Sequence, residues 1–454
     1  MTVPHPSSQL RPTSTASCKA SMCAWCRHQF RLRPWQLFGC AGFLQGYLWQ
    51  SALLRKYASL LRALGGNQMM AFQARAVRLV PFLLALTLIG LPAGSAIVMT
   101  TSASATPQEF MPMATFNGVA CASATRCIGV GNVVSRLNSG AAVPLNPASG
   151  GLATGQSVQL IGSSGFLNGV ACPSSSDCLA VGENSNQTRG VAVPLNPNTA
   201  AVRSGQELHT ISGFFMSGVA CASSAQCLAV GHDSSGSGVV VALSPASGAI
   251  LSGRTVETIP GTGGVGLQGV ACPSADLCVA VGENSGRSAG VAVALNPATG
   301  AVQGGDSVQN VTHKGVLFDL ACPSTTVCLA VGWGASQPSI AVPIDPATGA
   351  LLKGQTDRSI SVRAAMLTAV SCPSETLCLA VGNDASDPSV GQSVPLYPTT
   401  ARIVTGQSIQ TLAGTGSFNA VACHSTSRCV AAGSRFESAG AATEVLDPAT
   451  GRHP

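Results

Sequence analysis

The sequence predicts an all-β fold, a seven-bladed β-propeller with four strands per blade, and three observations carry that expectation. A motif of the form Leu167-Asn168-Gly169-Val170-Ala171-Cys172-Pro173, continued by Cys178-Leu179-Ala180-Val181-Gly182, recurs seven times. Its first cysteines stand 51, 49, 51, 50, 50 and 51 residues apart. Each copy holds four short β-prone runs, and four strands in about 45 to 50 residues mark a propeller blade. The last copy stops one strand short while a matching run stands before the first copy, so an N-terminal strand is expected to complete the last blade.

Composition sets the character of the core. Only 9% of the 454 residues are charged and 4% aromatic, against 46% from the hydrophobic set and 51 glycines. Such a chain can bury a large core built from small side chains. Ten of its 24 basic residues precede the first acid, Glu109, so the remainder is mildly acidic, with 14 positive charges against 18 negative. No basic cluster in the repeats matches what neutralising phosphates would require, and a nucleic-acid partner is not expected.

Taken in order, residues 1–68 form a basic leader. Residues 49–64 have the pattern of a basic amphipathic helix stopped by Gly65-Gly66, able to lie on a membrane surface. Cys18, Cys23, Cys26 and Cys40, with His28 nearby, fit no closed four-ligand zinc spacing well. Translation is expected to begin at Met69 or Met70. Residues 69–105 read as a secretory signal: Arg75 and Arg78, an apolar run from Leu79 to Leu91, then Ala103-Ser104-Ala105. The alternative is an uncleaved anchor running on to Met99, and Gly94-Ser95-Ala96 is a second possible cleavage site. The protein is therefore expected to be secreted or on the cell surface, touching a membrane only through an uncleaved leader.

The propeller is expected over residues 106–454, with repeats near 116–165, 166–214, 215–265, 266–315, 316–365, 366–416 and 417–454 plus 106–111. Within a repeat, strand one is the Gly-Val-Ala-Cys run and strand two is Cys-Leu-Ala-Val-Gly. Strand three resembles Val191-Ala192-Val193-Pro194-Leu195, and strand four resembles Gln156-Ser157-Val158-Gln159-Leu160-Ile161. Pro-Ser, a Gly/Ser/Asn-rich loop and Asn296-Pro297-Ala298-Thr299-Gly300 supply the turns between them. Continuous apolar runs in strands one and two suit sheets packed on both faces. The run Thr106-Pro107-Gln108-Glu109-Phe110 falls in the register of Ser157 to Ile161, and closing the ring would leave no free sheet edge at that join.

These Cys-Pro-Ser and Cys-Leu/Val-Ala-Val-Gly hairpins resemble those of secreted bacterial seven-bladed propeller repeat proteins, which are distantly similar to sialidase-type and quinoprotein-type propellers. Asn296 to Gly300, Asp345-Pro346-Ala347-Thr348-Gly349 and Asp447-Pro448-Ala449-Thr450-Gly451 are similar to the Asp-x-x-Thr-Gly turn of quinoprotein blades. No sialidase Asp-box and no WD-repeat signature is present. The resemblance implies a fold and says little about activity.

Export to an oxidising compartment favours a disulfide across each strand-one/strand-two hairpin: Cys121/Cys127, Cys172/Cys178, Cys221/Cys227, Cys272/Cys278, Cys322/Cys328, Cys372/Cys378 and Cys423/Cys429. The repeats contain no Cys-x-x-Cys and no recurring His, so metal thiolates and redox chemistry are the weaker readings. Gly261 to Gly266 matches Gly-x-Gly-x-x-Gly, but it lies between blades with no helix to follow. Gly305-Asp306-Ser307 occupies the slot of Gly155-Gln156-Ser157 and is a repeat position, not a nucleophile motif. His209, His232, His313, His424 and His453 hold unrelated repeat positions, giving no catalytic set.

Variation concentrates just after Val-Gly at the end of strand two. In a propeller with strand one innermost, these loops and the blade-to-blade loops share one face, and the constant turns share the other. Variable polar loops on a rigid frame suit recognition. The candidate ligand face is Glu183, Asn184, Asp233, Glu283, Asn284, Trp333 and Asp384: acids for a cation or sugar hydroxyls, and an indole for stacking. The expectation is a monomeric, non-catalytic binding or scaffold module without a cofactor, its partner an extracellular glycan, envelope polymer or protein. A carbohydrate-active enzyme and a structural envelope protein are the alternatives.

Overall fold

A computed structural model describes residues 108–454 apart from short segments at 111–112, 134–138, 163, 304–306, 314, 335–338, 362–364, 385, 413–414 and 436–439. The leader, the signal or anchor, the four leader cysteines, Thr106, Pro107, Gly305 and Asp306 lie outside the described residues.

Seven separate four-stranded antiparallel sheets form the seven blades. Their inner strands are Met113–Ser123, Ser164–Ala171, Phe214–Ser223, Thr262–Ser274, Val316–Ser324, Ala365–Ser374 and Ser417–Ser425. Six blades take their four strands in chain order. Blade 7 does not: its outer strand is Gln108–Phe110, paired antiparallel with Gly440–Leu446 in the register Gln108↔Thr443, Glu109↔Ala442, Phe110↔Ala441. The start of the array therefore closes the ring, in the register the repeat predicts. Phe110 packs edge-on against Phe116 of blade 1, ring centroids 5.1 Å apart, so the closing strand is held by the core as well as by the ladder.

Two strands differ from expectation. The outer strand of blade 1 is only Gln159–Ile161, because Gln156 is still in the turn, its N–H donating to the Ala153 carbonyl at 3.0 Å. The inner strands begin well before Gly-Val-Ala-Cys, and each carries an extra residue at the same place. The pairing skips Asn117, Asn168, Ser217, Gln268, Phe318, Thr368 and Asn419 in turn. These are β-bulges, all four residues before the first cysteine. They also explain the glycine of Val-Gly. A Cβ on Gly131, Gly182, Gly231, Gly282, Gly332, Gly382 or Gly433 would land on an inner-strand carbonyl just upstream of the bulge.

The core lies between blades. Each hydrophobic cluster joins two neighbours, as where Ile128, Val130 and Ala142 of blade 1 meet Leu167, Ala180 and Val193 of blade 2. Each inner hairpin is closed by a disulfide, in the seven pairings expected, with Cα atoms 3.8–4.0 Å apart. A seven-residue loop so closed stabilises by about 2 kcal/mol in the chain-entropy account.

The bridges also take part in the packing between blades. The second cysteine of every pair, Cys127, Cys178, Cys227, Cys278, Cys328, Cys378 and Cys429, is fully buried and belongs to the apolar core between blades. Its partner, Cys121, Cys172, Cys221, Cys272, Cys322, Cys372 or Cys423, is half-buried against the same cluster. The reason is local: the second cysteine opens the second strand, which is covered by neighbours on both faces, whereas the first stands on the inner strand beside the channel. These cysteines are therefore core packing as well as cross-links, and none of the seven buried sulfurs is offered to a ligand.

Candidate functional site

The antiparallel order puts the blade-to-blade loops and the second-to-third loops on one face, and the disulfide hairpins and the third-to-outer turns on the other. On the turn face the same contacts repeat. The side-chain oxygens of Asn146, Asn196, Asn296, Asp345 and Asp447 accept the N–H two residues on at 2.8–3.0 Å, fixing the Pro-Ala-Thr-Gly type of turn.

On the loop face the candidate residues divide into two groups. Asn184, Asp233, Asn284 and Asp384 turn their side chains back onto their own loops. Asn184 Oδ1 accepts from the Thr188 and Arg189 N–H groups at 2.8 and 3.1 Å, and Asn284 Oδ1 accepts from Ser288 N–H at 2.8 Å. Asp233 Oδ1 accepts from Ser235 and Ser237 N–H groups at 2.8 and 3.0 Å, and Asp384 Oδ1 from Ser386 N–H at 2.9 Å. Burial alone would raise the Asp233 carboxyl, but its bonds from Ser235, Ser237 and Gly236 outweigh that and hold it below the ordinary value.

Glu183, Glu283 and Trp333 sit one residue earlier in the repeat, at the loop-face end of the second strand. There they stand beside inner-strand residues around the mouth of the central channel. The cross-strand partners are Phe166 for Glu183, Phe215 for His232, Val316 for Trp333 and Met366 for Asn383. In blades 1 and 7 the same rung is small and polar, Thr115 with Asn132 and Ser417 with Ser434. The mouth thus has an aromatic and acidic arc over blades 2 to 5, Met366 with Asn383 in blade 6, and a hydroxyl and amide arc over blades 7 and 1. Phe166, Phe215, Trp333, Glu183 and Glu283 are half-buried. Burial raises the Glu183 carboxyl, against a bond from the Asn168 side chain. It also raises Glu283, against the Val265 N–H and Arg287. His232, its ring tilted against Phe215 with centroids 5.2 Å apart, is pushed down by burial and partly restored by Asp233.

Below the mouth the bulges ring a cavity of about 160 Å³ on the channel axis. Several bulge side chains lash one inner strand to the next. Asn117 donates to the Leu167 carbonyl at 3.1 Å, Asn168 to Met216 at 2.9 Å, Thr368 to Phe418 at 2.6 Å and Asn419 to Phe116 at 2.9 Å, the last across the ring closure. Sequence reasoning missed this belt. Its signal is a polar residue interrupting each apolar run one place before Gly or Ala, in every blade but blade 5, where Phe318-Asp319 stands instead. Among the described residues no cluster of three potential metal-ligating side chains occurs.

No protein-family model matches the chain, and no curated protein matches it in sequence. Solved structures match in fold. The WD40 β-propeller domain of Doa1 is 13% identical with a TM-score of 0.48, covering 75% of this chain and 95% of that one. YCF48, solved bound to a D1 peptide, is 11% identical with a TM-score of 0.45 over 75% and 96% of the two chains. Hydrazine synthase from Kuenenia stuttgartiensis is 10% identical with a TM-score of 0.48 over 80% and 100%. At these identities the likeness is one of architecture.

Proposed function

We propose that this chain is an exported, non-catalytic binding module that meets an extracellular ligand, a glycan or hydroxyl-rich envelope polymer, at the loop-face mouth of its channel. The observation that carries this reading is the contrast within one repeating frame. The turn face repeats its disulfide in all seven blades and its Asx turn in five, whereas the mouth rung changes residue in almost every blade and holds half-buried aromatic and carboxyl groups. Aromatic faces with hydrogen-bonding groups beside them suit sugar rings, and rigid strand ends hold them in place. Seven disulfides support an oxidising, extracellular setting. A purely structural envelope protein would be served by a flat face of Gly and Ser, unlike this mouth.

A glycan and envelope-polymer binding screen on protein beginning at Thr106, run oxidised and after reduction, tests the reading. Binding by the oxidised form that is lost in Trp333→Ala is the expected result. An extracellular protein as sole ligand would revise the partner. The enzyme reading draws on the raised carboxyls of Glu183 and Glu283, since a carboxyl kept protonated can act as a general acid. It predicts turnover of a bound glycan that Glu183→Gln or Glu283→Gln abolishes.

A further inference from the structure

Blade 5 departs from the belt at two adjacent places. Where the other copies carry Asn, Ser, Gln or Thr it has Phe318, and where they carry Gly or Ala it has Asp319. The departure falls in the tightest part of the ring. A Cβ on Gly218 would stand 2.8 Å from the Gln268 carbonyl, and one on Gly269 2.9 Å from the Phe318 carbonyl. Asp319 reaches across to blade 6, where its Oδ2 accepts the Val370 N–H at 2.9 Å, and it also accepts from the Leu320 N–H. Those two neutral donors do not cancel its charge. Of the described residues lining the cavity, Asp319 is the only ionisable one, and no Lys, Arg or His is among them.

Asp319 is half-buried, with no Lys, Arg or His beside it and a solvent-sized space in front of its carboxylate, and that space can hold the missing positive charge. We propose that the channel beneath the mouth is a second binding site, for a compact organic cation, a protonated primary amine seated against Asp319. The surroundings favour an ammonium over a metal ion. The wall offers neutral amide, hydroxyl and carbonyl groups and the phenyl of Phe318, with no second carboxylate; a divalent cation prefers several anionic oxygens, whereas an ammonium accepts neutral oxygens and an aromatic face. Burial raises the Asp319 carboxyl to about 6, so it is charged at pH 8 and protonated at pH 5. Glu183 and Glu283 stand above the cavity, at its mouth, and do not line it. This site stands on Asp319 and not on the loop-face reading.

The competing account is that Asp319 merely ties blade 5 to blade 6, as Asn117 ties blade 1 to blade 2. Asp319→Asn separates the two, because it keeps an oxygen for the Val370 N–H and loses the charge. The full chain, made by export so that its bridges form, is titrated with methylammonium chloride by calorimetry, with sodium chloride and calcium chloride at matched ionic strength as the other arms. Methylammonium binding at pH 8 is expected to weaken about ten-fold at pH 5, where roughly nine-tenths of a group of this pKa is protonated. It is expected to be lost in Asp319→Asn and in Asp319→Gly, the residue blades 1 to 4 carry. No methylammonium binding by the native chain at pH 8, equal binding by both variants, or binding of calcium in its place overturns the proposal. Glycan binding measured on the same samples reports separately on the loop face.

Discussion

The two faces of this ring are cut from the same strands and made under opposite constraints. On the turn face the hairpin disulfides repeat in all seven blades and the Asx-type turns in five, Ser244 and Tyr397 standing at that position in blades 3 and 6. In the third strand leading to that face Glu444 departs from Val143, Val193, Val241, Val293, Val342 and Val394 of blades 1 to 6. At the loop face the frame residues are just as regular, with a bulge and its facing glycine in every blade, yet the rung beside the bulge changes residue almost every time. Repetition marks what holds the ring together. Departure from it marks what the ring can do.

The contrast has meaning only if the ring is closed, and that is where the largest effect is expected. Phe110, 2% exposed, anchors the N-terminal strand against Phe116. Phe110→Ala should lower unfolding stability by about 3 to 5 kcal/mol in urea melts. A loss below about 1 kcal/mol would mean that the strand is not seated in blade 7.

Second comes the departure in the third strand of blade 7. Glu444 is 4% exposed, with Oε1 unpaired and Oε2 3.4 Å from His453 Nδ1. Burial raises its carboxyl to about 7, with Arg435 pulling the other way. The folded state therefore keeps a proton that the unfolded chain releases above its ordinary value of 4.5. Stability should fall as pH rises from there through about 7 and level off above, by at most about 3 kcal/mol. Glu444→Val, the residue of the other six blades, should flatten that slope in urea melts at pH 5 and pH 8 and be the more stable protein at pH 8. An unchanged slope would remove Glu444 as its source.

The sequence-level reading succeeds where structure is periodic and fails where one residue is inserted or changed. Register, closure and the seven bridges were legible because each copy checks the others: Gln108 to Phe110 could be aligned with Gln159 to Ile161 across the whole array. The bulges were not, because the inner strands show no strict alternation for an extra residue to break, and the polar residue that recurs at each bulge reads as a loop residue ahead of Gly-Val-Ala-Cys. The unequal burial of the two cysteines in a pair, Cys121 half-covered and Cys127 wholly so, was hidden for a related reason: spacing gives the partner of a cysteine and not the depth at which it sits. Asn184 and Asp233 read as free loop groups because a side chain that folds back on its own loop has the same composition as one offered to a ligand. Asp319 was hidden by sitting on a strand, although comparing the copies position by position singles it out against Gly and Ala.

Third in size, one bridge is removed with Cys272→Ser and Cys278→Ala, the second replacement being apolar because Cys278 is wholly buried. The change should cost about 2 kcal/mol in chemical denaturation and leave ligand binding intact. Lost binding in a still-folded protein would show that the turn face is not mere scaffold. The smallest effect concerns the left-handed turn position. Gly300 holds it with φ 77°, while Ala200 and Ala401 hold it at 57° and 53°. Ala200→Gly and Ala401→Gly should each stabilise by about 1 kcal/mol in thermal melts, since a Cβ is disfavoured there; destabilisation would mean that the alanine methyls contribute more by packing.

The division between faces is tested most directly by one paired binding measurement. A glycan or polymer found to bind the oxidised protein is titrated against a loop-face variant, Glu183→Gln with Glu283→Gln and Trp333→Ala, and against the turn-face variant Ala200→Gly with Ala401→Gly. The account predicts at least a ten-fold loss of affinity in the first, with its melting temperature close to native, and native affinity in the second. Native affinity in the first variant, or lost affinity in the second while it remains folded, would contradict it.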